Sequence, residues 1–273
     1  MQLSVIFTTY NSPLWLEKVL WGYQHQKFKY FEVIIADDGS TPETANLIKE
    51  MRQKVDFPIR HVWHEDKGFR KCEILNKAIL ASNADYLVFS DGDCIPREDF
   101  LQAHFDNKRI NYFLSGGAFR LPMSLSTLIK PENILSQDAF EKKWLIKNGL
   151  KRSFIKNLKL TKNKFLAGLM NHITPTTASW NGNNASAWKK DILAINGFDE
   201  RMRYGSEDRE FGERLMHNGI KSIQVRYIAV CIHLDHSRGY VNQQDLNRNA
   251  AIRKETKEKR KVWTDFGIQK TVE

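Results

Sequence analysis

A chain of 273 residues with 41% hydrophobic content is long enough to bury one large core or two small ones. Its formal charge of +10, from 42 basic and 32 acidic residues, favours an anionic partner: a nucleotide, nucleic acid or an anionic membrane surface. No apolar run approaches ~18 residues, which excludes a membrane-spanning helix, and the start (Met1-Gln-Leu-Ser-Val-Ile-Phe) lacks the basic region and cleavage site of a secretion signal.

Leu3 to Thr9 reads as a buried strand. Ser12 is placed as an N-cap, with Pro13 at the first position of a helix reaching about His25. Phe31 to Ala36 predicts a second strand, and Thr41-Pro42-Glu43 opens a helix carrying Leu47, Ile48 and Met51. Pro58 to Trp63 is a third strand, Lys71 to Ser82 a helix, and Tyr86 to Ser90 a fourth strand. Strand and helix alternate at short spacing, which predicts an α/β fold with a mostly parallel, doubly wound central sheet. Tyr112 to Arg120 adds a further strand and a glycine turn near that sheet. From 121 to 175 the pattern is irregular: Pro131 and Asn133 start a helix, and apolar residues alternate with lysines. The readings for this insertion are an amphipathic lid, a membrane-surface helix or an acceptor-binding element. Trp180 to Trp188 is polar and glycine-punctuated, then helical through Ile192. Ser206 is the expected N-cap of a helix running to Leu215, and Asn242 to Lys261 reads as a basic C-terminal helix, polar nearly all round.

In a parallel sheet the carboxyl ends of the strands share one edge, where ligands bind. Three such ends carry polar groups here: Thr8-Thr9-Tyr10-Asn11, Asp37-Asp38-Gly39-Ser40 and Asp91-Gly92-Asp93. Gly92 permits a sharp turn, and two hard oxygen donors there suit Mg²⁺ or Mn²⁺, although Asp-x-Asp alone reads better as a solvated acidic turn. No Gly-x-Gly-x-x-Gly follows the first strand and no P-loop is present, which weakens dinucleotide oxidoreductase and P-loop readings. A second acidic cluster, Glu207, Asp208 and Glu210, falls in the first turn of its helix, where negative charge favours the dipole. The cysteines (Cys72, Cys94, Cys231) are odd in number and widely spaced, which predicts reduced thiols in a cytoplasmic protein.

Ser4-Val-Ile-Phe-Thr-Thr-Tyr-Asn11, the Asp37 to Ser40 turn, Glu65 to Lys71 with Asn76-Lys-Ala, and Asp91-Gly92-Asp93 together resemble the nucleotide-sugar-binding half of family 2 glycosyltransferases with the GT-A fold. The branch they are most similar to includes bacterial chondroitin-type polymerase modules and galactosyltransferase-like enzymes. Asn196-Gly-Phe-Asp-Glu200 and Gly205-Ser-Glu-Asp208 resemble that branch's acceptor-side motif, with Tyr204 where relatives carry tryptophan. The resemblance covers residues 1 to about 115 and 175 to 240.

The resemblance implies a single GT-A-like domain: residues 1–115 bind the nucleotide sugar, 116–261 hold the acceptor and the base, including the insertion 121–175, and 262–273 form a tail. Thr8 and Tyr10 would flank the base, Asp38 would bond the uracil or ribose, and Arg70 would lie near the base or diphosphate. Asp91 would contact the ribose or a metal-bound water; Asp93 would hold a divalent ion (Mn²⁺ or Mg²⁺) with His233, or with His236 in its place. Asp208 would be the catalytic base with Glu207 beside it, and Trp180 and Asn184 would line the acceptor pocket. Asn76 is expected to be structural. Arg238 and Tyr240 would close over the diphosphate.

The expected activity is metal-dependent inverting transfer from a nucleotide-diphosphate sugar, UDP-linked, to a glycan or lipid-linked glycan acceptor in bacterial surface polysaccharide synthesis. The expected location is cytoplasmic, with peripheral contact to the anionic inner membrane through the C-terminal helix; nucleic acid is not an expected partner. A metal-dependent nucleotidyltransferase leaves Glu207 and Asp208 unemployed, and a non-enzymatic basic binding protein explains only the charge.

Overall fold

The computed structural model describes residues 1–237, 239 and 241–270. Its elements, in chain order, are β1 (Leu3–Thr9), α1 (Pro13–Gln24), β2 (Phe31–Asp37), α2 (Pro42–Met51), β3 (Ile59–Trp63), α3 (Lys71–Ala81), β4 (Tyr86–Asp91), β5 (Cys94–Pro96) and α4 (Phe100–Asn107). These are followed by β6 (Tyr112–Ser115), β7 (Gly117–Arg120), α5 (Met123–Leu128), α6 (Pro131–Leu135), α7 (Lys142–Lys147), α8 (Phe154–Asn157) and α9 (Lys164–Ile173). The chain then forms β8 (Asn184–Trp188), α10 (Lys189–Ala194), α11 (Glu207–His217), β9 (Lys221–Gln224), β10 (Val230–His233) and α12 (Gln243–Glu258).

Seven strands make the main sheet in the order β3-β2-β1-β4-β8-β6-β9, and a small sheet β5-β10-β7 stands beside it. β3, β2, β1 and β4 run parallel, β8 is antiparallel to both its neighbours, and β9 is parallel to β6. The expected mostly parallel α/β sheet is present.

Successive strand residues enter opposite cores, as the two-residue pleat requires. Val5, Phe7, Val33 and Ile35 join one core with Leu16, Val19 and Leu20 of α1; Ile6, Ile34 and Ala36 join the other with Ile74, Leu75 and Ile79 of α3. The insertion belongs to the first core through Leu125, Ile129, Ile134, Phe140 and Leu145. α10 and α11 close the second through Ile192, Phe211 and Leu215.

Helix starts fall where proline and polar residues predict them, but their caps differ. Ser12 and Ser206 both occupy N-cap positions without a side-chain capping bond. Ser206 instead takes a left-handed conformation, φ +70°, ahead of Glu207. α12 is capped by Asn242, whose side chain accepts from Gln244 N at 2.8 Å. Its basic residues are largely paired, Arg253 with Glu213 and Arg248 with Asp245, and just past its end Lys259 and Lys261 pair with Glu255. The charge that would draw this helix to an anionic surface is therefore partly compensated within the protein.

Candidate active site

Register builds the site. Thr8 lies opposite Asp91 and Thr9 opposite Asp37, so the polar ends of β1, β2 and β4 share one edge. Thr8 Oγ1 donates to Asp91 Oδ1 at 3.2 Å. Gly92 is required by proximity: a Cβ there would stand 2.7 Å from the Thr8 carbonyl oxygen, to which the Gly92 N–H bonds at 2.8 Å.

Asp38 is nearly buried, with one oxygen 2.7 Å from His64 Nε2 and the other accepting the Arg70 backbone N–H at 2.9 Å. Burial nonetheless raises its pKa, against the pull of His64 and Arg70. The Arg70 side chain turns to Glu73 and the Glu65 carbonyl. Tyr10 is half-exposed and donates to Asp66 at 2.8 Å. Asp37 is spent locally, on Ser40 N and His61.

The Asp93 corner is joined by the small sheet. His233 ends β10 opposite Cys94 of β5, and His236 follows in the loop. His236 Nε2 lies 3.0 Å and His233 Nε2 3.8 Å from the Asp93 carboxylate, and the two imidazoles stack at 5.5 Å. Burial works to raise the Asp93 pKa, but the His236 hydrogen bond and the two imidazoles hold it below the usual carboxylate value. Donor atoms of Asp93, Cys94 and His233 all lie within 4.8 Å of one another. A carboxylate and imidazoles fit a divalent ion such as Mn²⁺.

The second acidic cluster faces the first across Lys71. Lys71 Nζ is 3.3 Å from Asp91 Oδ1 and 4.0 Å from Glu207 Oε1. Burial opposes its charge, but Asp91, Asp208 and Glu207 outweigh burial and push its pKa up. Glu207 accepts the Gly205 N–H at 2.7 Å; burial, then the neighbouring Asp208, drives its pKa up to about 7. Burial also raises Asp208, against the attraction of Lys71. Asp208 Oδ1 is buried and has no hydrogen-bond partner. Gly182 makes room for it, since a Cβ there would come within 2.7 Å of that oxygen.

Thr8, Tyr10, Asp38, Arg70, Asp91, Asp93, His233, Glu207 and Asp208 are thus placed by β1, the ends of β2 and β4, the start of α3, β10 and the start of α11. Two expectations are corrected. Trp180 is fully buried among Phe89, Phe113 and Phe211, so it offers no face to a sugar. Asn184 is fully buried as well, bonded to His104, Gly117 O and Ala229 O. Asn76 is structural as expected, tying α3 to Phe198 and Glu200. Tyr204 meets Phe69 edge-on at 6.1 Å. Arg238 and Tyr240 lie outside the described residues. Sequence reasoning gave no role to His64, Lys71 or Gly182; the first two sit at a strand end and a helix start on the ligand edge, which is the signal that could have found them.

Comparison with known proteins agrees with this geometry. Residues 4–120 match the model for glycosyl transferase family 2, and residues 171–237 match that for the N-terminal domain of galactosyltransferase. The chain is 27% identical over 233 residues to chondroitin synthase of Escherichia coli, covering 80% of this chain and 32% of that protein. It is 26% identical over 212 residues to the GalNAc(5)-diNAcBac-PP-undecaprenol beta-1,3-glucosyltransferase of Campylobacter jejuni, covering 76% and 57% respectively. It therefore spans about a third of the chondroitin synthase and just over half of the glucosyltransferase. S. aureus TarS 1-349 in complex with UDP-GlcNAc superposes with a TM-score of 0.61 at 17% identity, over 93% of this chain and 65% of that one. The mannosyltransferase PcManGT from Pyrobaculum calidifontis, in complex with GDP-Man and Mn²⁺, gives 0.57 at 17% identity, over 88% and 58%. These structures share its fold. Residues 4–120 carry a glycosyl transferase family 2 domain, and the chain shares the GT-A fold of these glycosyltransferases.

Proposed function

We propose that this chain transfers a sugar, with inversion, from a nucleotide-diphosphate donor (UDP-linked) to a hydroxyl of a glycan or lipid-linked glycan in bacterial surface polysaccharide synthesis. The observation that carries this reading is Asp208: a buried carboxylate oxygen without a hydrogen-bond partner, across Lys71 from Asp91 at the end of β4. Such an oxygen is free to accept a proton, and burial makes it more basic than an ordinary aspartate. The names of relatives support the substrate class, since they include a chondroitin synthase and a GalNAc(5)-diNAcBac-PP-undecaprenol beta-1,3-glucosyltransferase.

In this reading Thr8, Tyr10, Asp38 and Arg70 hold the nucleotide, and Asp91 orients the ribose while pairing with Lys71. The acceptor hydroxyl gives its proton to Asp208 as its oxygen bonds the anomeric carbon. The bond from that carbon to the diphosphate breaks on the opposite face, and the nucleoside diphosphate leaves with the electron pair. Glu207, held by Gly205 N, positions acceptor or donor hydroxyls. Asp93 with His233 and His236 would hold a divalent ion, which supplies positive charge beside the leaving diphosphate.

A panel of nucleotide sugars, assayed for transfer and hydrolysis with and without Mn²⁺, tests the reading. It predicts turnover of at least one UDP-sugar that depends on the metal. Absence of both turnover and metal-dependent UDP binding across the panel overturns it.

A further inference from the structure

The insertion carries a surface that transfer chemistry does not use. On α9, Phe165, Leu169 and Ile173 recur every four residues and so share one face; they are 83%, 44% and 59% exposed. The opposite face is anchored: Ala167 is buried, Asn171 Oδ1 accepts Tyr227 N at 3.0 Å, and the Asn171 carbonyl accepts from Gln224. The apolar stripe is therefore an outward face of a helix fixed to the fold.

Its surroundings are predominantly basic. From Lys142 through Lys190 the chain has no Asp or Glu, and eight of the nine Lys and Arg between Lys142 and Lys164 are exposed. The ion pair of Lys162 with Glu141 brings the start of α7, with Lys142 and Lys143, beside the start of α9, with Lys164 and Phe165. α12, the other lysine-rich helix, has acids beside its basic residues that compensate part of its charge. An exposed apolar stripe rimmed mainly by cations, with Glu141 already paired to Lys162, complements an anionic lipid surface: the rings and aliphatic chains enter the headgroup boundary and the lysines meet lipid phosphates.

We infer that α9 and the basic segment before it dock this protein on an anionic bilayer. The placement bears on the site. From Ile173 the chain runs through Ser179, bonded to Ser115 and Arg209, to Gly182 against Asp208. The docked helix thus leads directly into the wall beside the candidate base. Vesicle binding is read without turnover, so its failure leaves the transfer reading standing.

The test is sedimentation with vesicles of equal parts phosphatidylcholine and phosphatidylglycerol, and with phosphatidylcholine alone. The full chain should partition about tenfold or more in favour of the anionic vesicles, and added salt should weaken it. The pair Phe165→Ser and Leu169→Ser should cost about tenfold in that binding with the circular dichroism spectrum unchanged, because both side chains are exposed. Replacing Lys254 and Lys259 of the C-terminal region by Gln should leave it intact. Three results overturn the inference: no binding, equal binding to both vesicles, or loss of binding in the Lys254/Lys259 variant but not in the α9 variant. A dimer in light scattering that the α9 substitutions dissolve would also overturn it, making the stripe a contact between copies.

Discussion

The two ends of the crevice hold carboxylates that burial treats alike and neighbours treat oppositely. At Asp93, two imidazoles overcome burial and hold the carboxyl low; at Glu207 and Asp208, burial wins and both are raised, Glu207 to about 7. A carboxylate kept ionised beside imidazoles suits binding of a cation, whereas one made basic by burial, with an oxygen that accepts no hydrogen bond, suits taking a proton. Lys71 spans the two, bonded to Asp91 and attracted to Glu207, which keeps the raised pair from repelling the ligand edge. Identical residue types on one sheet edge thus take different work from what packs against them.

The largest effect should come from removing the proton acceptor. Asp208→Asn preserves shape but not basicity, so transfer should fall by about 10²–10⁴-fold. UDP affinity measured by calorimetry should stay within a few-fold. Retention of most activity would remove Asp208 from the reaction. Asp93→Ala probes the other end and should instead abolish metal-dependent nucleotide binding; chelating the metal from the wild type should reproduce it. His236→Ala should weaken metal affinity by ~10–100-fold. If Asp93→Ala bound UDP with its metal dependence intact, the division between the two ends would fail.

The pH response should separate the ends as well. Transfer should rise as pH passes through neutrality and the Glu207–Asp208 pair loses its proton, the pair titrating as a unit. For stability the sign runs the other way. The Glu207 pKa is about 7 in the fold against 4.5 for an ordinary glutamate, so its protonated form contributes stability that is fully present below 4.5 and lost as pH rises through about 7. Glu207→Gln should therefore gain melting temperature relative to wild type as the buffer goes from acidic to alkaline. A difference independent of pH would show that Glu207 is not the group that titrates. Lys71→Met removes the attraction that opposes the rise, and the activity profile should move to more alkaline pH.

The donor end was more legible in the sequence than the acceptor end, for a physical reason. β1, β2 and β4 are buried on both faces, so they read as apolar runs, and their polar ends stand out. β8 is central too, yet its residues are Asn184-Ala-Ser-Ala-Trp188, which carry no apolar signal. Buried hydrogen bonds make it a strand-core element: Ser186 with Tyr86 and His104, and Asn184 with His104. A polar stretch next to acidic motifs invites a binding role, and only tertiary packing shows Trp180 and Asn184 to be interior. β5, β9 and α4 are short elements whose apolar residues meet partners distant in sequence, which no local period announces. Glu207 and Asp208 were legible by motif, but their raised basicity comes chiefly from burial, against the pull of Lys71, and neither the burial nor Lys71 lies in that motif.

The smallest expected effect concerns backbone strain, and it too separates the two ends. Ser206 holds φ +70° immediately before the raised pair, while no non-glycine residue between Asp91 and Cys94, or described between His233 and Gly239, has positive φ. A left-handed Ser costs roughly 1–2 kcal/mol that glycine does not pay, and its hydroxyl makes no capping bond in return. Ser206→Gly should therefore stabilise the fold by about 1 kcal/mol in chemical denaturation. The same change frees the peptide that aims Glu207 and Asp208, so transfer should fall by a few-fold while metal-dependent UDP binding, governed at the other end, is unchanged. A variant with increased stability and undiminished transfer would show that the turn's strain is incidental. Loss of UDP binding would show instead that the two ends are mechanically one.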